Sequence, residues 1–112
     1  MNIVVLRGQL SSDPVTRTLP SGMVVWSLEV TTPSADGQIS VPVAWFDQAA
    51  TPQWERGTEL VVVGCVKRRF YRTAGGTQSR TEVVATHVIE ARKKQAAARL
   101  IQRCVAEATE SP

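Results

Sequence analysis

The residues best suited to chemistry in this sequence lie between Lys67 and Glu82, KRRFYRTAGGTQSRTE. Lys67, Arg68, Arg69 and Arg72 enclose the aromatic pair Phe70 and Tyr71, and a small turn, Ala74 to Thr77, leads on to Arg80. Cations hold phosphates, and aromatic rings offer flat faces on which unpaired bases stack. A basic hairpin with rings among its charges therefore has the chemistry of a groove for single-stranded nucleic acid. The same composition also fits a solvated surface hairpin. Enzymatic chemistry has little to draw on. The one histidine, His87, falls in a predicted strand with no Cys/His cluster, and no helix follows Gly75-Gly76 as a phosphate-cradling loop requires. No catalytic residue, metal ligand or cofactor is assigned, and the chain is not expected to be an enzyme.

The rest of the chain must position that hairpin. With 112 residues, 43% of them hydrophobic, there is material for one core. No run approaches the ~18 apolar residues of a membrane span. Arg7, Gly8 and Gln9 interrupt the apolar N-terminus where a secretory core would continue, so a cytoplasmic, nucleoid-associated address is expected. The net charge is only +3, but just three cations, Arg7, Arg17 and Arg56, precede Gly57, against five carboxylates. The basic second half suggests a face directed at a polyanion. Cys65 and Cys104 read as small buried hydrophobes rather than a disulfide.

Residues 2–10 form a β-rich run in which Gly8 marks the bend of a strand that pairs with two neighbours. Leu19-Pro20-Ser21-Gly22 is a β-turn signal, so a hairpin is expected there. Alternation over Met23–Thr32 assigns Val24, Trp26, Leu28 and Val30 to the core face, with core packing favoured over base stacking for Trp26. After a polar loop at Pro33–Gln38, Ile39, Val41, Val43 and Trp45 point inward, and Ser40, Pro42, Ala44 and Phe46 outward. Pro42 requires an edge or one open side. Thr51-Pro52 and Gly57 bracket a predicted short helix anchored by Trp54. The longest strand, Thr58–Arg72, begins apolar and projects as a basic finger, which returns through Arg80–Ile89. The period then changes: Ala97, Leu100, Ile101, Cys104, Val105 and Ala108 form one helical stripe over Arg92–Ala108, to be covered by the outer wall of the sheet or by a second subunit.

Three strands, a short helix and two strands, with a bent first strand, is the order of the five-stranded OB-fold barrel, here followed by a C-terminal α-helix. Asp13-Pro14, Arg17 and Pro20-Ser21-Gly22 resemble the D-P-x-x-R-x-x-P-S-G signature of bacterial single-stranded DNA-binding proteins. Val43–Phe46, Leu60–Gly64 and Arg80–Ala85 fall where that family has its third, fourth and fifth strands. The resemblance covers residues 1–91 as an OB-fold DNA-binding domain and leaves 92–112 as an amphipathic helix and short tail. It implies a homotetramer, a dimer of dimers, that binds single-stranded DNA with little regard to sequence in replication, recombination or repair. Phe46 and Tyr71 match stacking positions. Lys67, Arg69, Arg72 and Arg80 are expected to follow the phosphates, with Arg7 and Arg17 at the groove entrance.

The departures also carry expectations. Ser40 and Ala35 stand where the family commonly places aromatics, so Tyr71 and its cations should bear more of the binding. Typical members continue into a Gly/Pro/Gln-rich tail with an acidic tip. Here Thr109–Pro112 follows the helix directly, which suits a short member and argues against recruiting repair enzymes through an acidic tail. The rival reading is an OB-fold interaction protein, such as a primosome-type accessory with weak DNA binding.

Overall fold

The computed structural model describes residues 1–47 and 52–110. Six strands and one helix follow in order: β1 (Val4–Leu10), β2 (Val15–Thr18), β3 (Val24–Ser34), β4 (Gly37–Phe46), β5 (Glu59–Thr73), β6 (Gly76–Glu90) and α1 (Lys94–Thr109). The strands form one sheet in the order β1-β5-β6-β4-β3-β2, and a further pairing of β1 with β3 closes a ring of hydrogen bonds. β1 makes the closure by changing partners, running against β5 through Gln9 and meeting Thr31 and Val30 of β3 at Gln9 and Leu10. Gly8 lies at the change. A Cβ there would stand 2.3 Å from the carbonyl oxygen of Thr31, so the two backbones approach only where a side chain is missing.

The period-2 pattern puts Leu10, Leu28, Val30, Val43, Leu60, Val62, Val83 and Ala85 in one buried cluster drawn from all five strands of the ring. Each fully buried aliphatic side chain contributes roughly 1.5–3 kcal/mol. Trp45 packs against this cluster and stacks on Trp54, with ring centroids 5.4 Å apart. Of the set assigned to the core face of β3, Leu28 and Val30 are buried, whereas Val24 and Trp26 are half-buried. Val25 is buried on the opposite face, between Arg17 of β2 and Phe46 of β4. Pro42 pairs only with Glu29 of β3. β6 joins β4 just beyond it, at Val43–Trp45, so the proline faces the open side that its missing N–H requires.

Three expectations are corrected. The strands number six, because Val15–Thr18 forms its own strand against β3 through the Leu19–Gly22 turn, closed by the Gly22 N–H donating to the Leu19 carbonyl at 2.8 Å. The presumed polar loop at 33–38 is largely ladder: Pro33 pairs with Gln38 and Ser34 with Gly37, leaving Ala35-Asp36 as the reversal. No helix forms over residues 52–57, and its presumed cap, Thr51, lies outside the described residues. The backbone donors there serve other partners: Glu55 N–H reaches the Thr58 hydroxyl, Arg56 N–H the Asp13 carboxylate and Gly57 N–H the Leu10 carbonyl. Trp54 does anchor the segment, donating to Glu90 at 3.2 Å. The Glu90 carboxyl is held below the usual glutamate range by hydrogen bonding to Arg92 first and Trp54 second. Its contribution to stability is complete above the ordinary carboxylate range and is lost as pH falls through the lowered value.

The apolar stripe of α1 packs on the outside of the ring. Ala97, Leu100 and Cys104 join Val61, Val63 and Ala91 in a second buried cluster with Ile101 partly buried beside it, so the sheet wall covers that part of the stripe, while Val105, 56% exposed, and Ala108 remain uncovered. Gly8→Ala should force the β1–β3 contact apart. We expect a loss of at least about 2 kcal/mol, in line with severe overpacking, read as a lower urea midpoint.

Candidate nucleic-acid interface

Beyond the ring, β5 and β6 continue as a two-stranded finger. The ring pairings of β5 end at Gly64 with Val4, and those of β6 begin at Val83 with Val43. The Asn2 side chain extends the β1 ladder by one step, donating to the Val66 carbonyl at 2.8 Å and accepting from its N–H at 2.9 Å. From Lys67 to Glu82 the two strands have only each other, and the chain reverses at Ala74-Gly75.

Residues directly opposite in a ladder share a face, and alternate residues along a strand share it too. Arg17 lies opposite Val25, which lies opposite Phe46; Ala44 aligns with Val84, and Val84 with Cys65. Along the finger the same face carries Lys67 opposite Glu82, Arg69 opposite Arg80, and Tyr71 opposite Gln78. Arg17, Phe46, Lys67, Arg69, Tyr71 and Arg80 therefore occupy one continuous outer face. Phe46 is 39% exposed and Tyr71 46%, enough ring for a planar ligand. A cleft of about 450 Å³ lies between Arg17, Arg69, Phe70, Tyr71 and Arg80.

The other two assigned cations stand apart. Arg72 points to the opposite side of the finger, with Arg68 and Phe70. Arg7 pairs with Val61 on the stretch of wall that α1 covers, and its guanidinium binds Glu59 at 2.9 Å. A larger cleft, about 570 Å³, adjoins Arg7, Gln9, Thr31, Gln38 and Arg56, away from the finger.

Two residues of the finger that bear on this face were given no site role from the sequence: Phe70, which reaches the cleft from the reverse side, and Glu82, which lies on the face itself. Phe70, 68% exposed, borders the cleft and has the Arg68 guanidinium 6.0 Å from its ring centroid. Its signal was its place beside Tyr71 in a strand that had already left the core. Glu82 is only 5% exposed, and Arg69 Nε lies 2.7 Å from its Oε1. The contact has the distance of an ion pair but not the direction of a hydrogen bond, and Oε1 has no hydrogen-bond partner. Arg80 similarly approaches Glu29 at 3.6 Å, a weaker contact between half-exposed groups. Among the described residues, Arg17, Lys67 and Arg72 form no ion pair.

No family model matches the chain, and no curated protein matches it at a significant level. Among the described residues there is no group of His, Cys, Asp and Glu side chains that could hold a metal ion, and no helix long and apolar enough to cross a membrane.

Because Arg69 is the counter-charge of a buried carboxylate, its removal strands Glu82. Arg69→Ala should cost about 1–3 kcal/mol by urea denaturation. Arg69→Ala/Glu82→Gln should recover most of that loss, and equal losses in the two variants would show that the pair carries no such role.

Proposed function

We propose that the protein binds single-stranded DNA in a sequence-tolerant way, as an OB-fold barrel of the bacterial single-stranded DNA-binding type. The observation that carries the reading is the shared face of Arg17, Phe46, Lys67, Arg69, Tyr71 and Arg80, which sets two exposed rings among cations along one side of the sheet. Stacking supplies affinity without reading base identity, because every base has a π-face. Lys67, Arg17 and the terminal nitrogens of Arg69 supply the phosphate contacts, with Arg80 beside them. The strand order supports the fold assignment: β1, β3, β4, β5 and β6 correspond to the five strands of an OB-fold, including its parallel pairing of the third and fifth, with β2 an extra ribbon. The family resemblance further supports a homotetramer working in replication, recombination or repair. Light scattering tests that assembly, and a monomer would contradict it.

A second reading is favoured by one observation. Arg7, Arg69 and Arg80 each face a carboxylate, which lowers the charge free for phosphates and suits an accessory protein with weak DNA affinity. Titration with fluorescent dT oligomers at several salt concentrations separates the two. The first reading expects tight binding that falls linearly with log[salt], and a loss of about 1–3 kcal/mol in each of Phe46→Ala and Tyr71→Ala. Absence of binding even at low salt would overturn it, and weak binding that ignores both substitutions would favour the accessory role.

A further inference from the structure

The basic side of α1 has no part in the face described so far, yet the sheet leads directly to it. Beyond Val84 the ladder is irregular: Ala85 pairs with Gly64 and His87 with Val63, so Thr86 is the extra residue. A bulge of one residue shifts the alternation by one. His87 and Ile89 therefore continue the outer face that Arg80, Glu82 and Val84 begin. His87 opens into a cleft of about 340 Å³ between the sheet and α1, floored by Trp45, Ile89 and Leu100 and rimmed by Arg99 and Arg103. The two arginines are four residues apart, hence on one side of the helix. Neither has an ion-pair partner among the described residues. The carboxylate bordering the cleft is Asp47, so the cleft retains net positive charge. Phe46, half-exposed on the outer face, stands between Trp45 and Asp47, both of which line it.

We infer that the path of the DNA strand runs on past Phe46 and His87 to α1, where Arg99 and Arg103 take two further phosphates. This rests on the single-strand reading above and extends it to a part of the chain outside the barrel. From Arg80 to His87 along β6 is about 20 Å at ~3.3 Å per residue. That distance is spanned by roughly six nucleotides at the ~3.4 Å per nucleotide of a stacked strand. A strand long enough to cover both the finger and α1 therefore meets more cations than one that covers the finger alone. The apolar floor suits the edge of a base or sugar beneath a phosphate held at the rim.

The test uses the full chain and its Arg99→Gln/Arg103→Gln variant, whose two exposed helix positions leave the packed stripe untouched. Affinities for a dT oligomer of about six nucleotides and one of about twenty are measured across a salt series. For the longer oligomer, the variant's slope of log K against log[salt] should be shallower by about 1.4, at ~0.7 for each lost phosphate. For the shorter one, which cannot cover the finger tip and α1 together, the slope should change by less. Equal slopes for variant and unaltered chain on the longer oligomer overturn the extension while leaving the single-strand reading standing. That result is also the one expected if the cleft serves an acidic peptide instead. If the unaltered chain binds neither oligomer at low salt, both readings fall.

Discussion

The contact on which the rest of the structure depends is the approach of Gly8 to the carbonyl of Thr31. β1 is the one strand that must serve two neighbours at two angles, and it changes from β5 to β3 where a Cβ has no room. Without that change the sheet would remain open, with β1 at one edge and β2 and the rest of β3 at the other. With it, five strands surround one apolar cluster, and the outward residues of β3, β4 and β6 become a single curved surface. The geometry of the candidate interface is thus a consequence of a backbone contact on another strand.

A second glycine repeats the device on the other side of the ring. At Gly64 a Cβ would stand 2.1 Å from the Val84 carbonyl, and the β5–β6 register shifts there. The irregularity separates two uses of the same pair of strands. Below it, Val61 and Val63 turn outward to receive α1; above it, Lys67, Arg69 and Tyr71 turn outward without cover. One long hairpin thereby supplies a packing surface for the helix at its base and an exposed charged surface at its end.

Much of this was legible in the sequence, because period-2 and period-3.6 patterns are local. Leu28, Val30 and Val43 on the core face and the buried Ala97–Leu100–Cys104 part of the stripe followed from spacing alone, and the open side at Pro42 from its missing N–H. The six-residue face was legible only in part, since parity relates residues within a strand whereas register relates them between strands. Arg69 and Glu82 are thirteen positions apart, and nothing local says that a carboxylate beneath the finger engages that arginine. The segment after β4 misled for a similar reason. Thr51-Pro52 and Gly57 are good local helix signals, but the donors of residues 55–57 find Thr58, Asp13 and Leu10, and long-range partners outweigh a helix of little more than one turn.

The finger also determines how such a surface could change over evolutionary time. Its residues from Lys67 to Glu82 pair only with one another, so length can be added there with Glu82 the one buried side chain disturbed. Two residues inserted in each strand at its base would carry Arg69, Tyr71 and Arg80 outward by one repeat and keep them on their original side. One residue in each would turn all three to the reverse side and bring Arg68, Phe70 and Arg72 round beside Phe46 and Arg17. Even steps thus change the reach of the finger and keep its face, whereas odd steps exchange one set of cations and rings for the other.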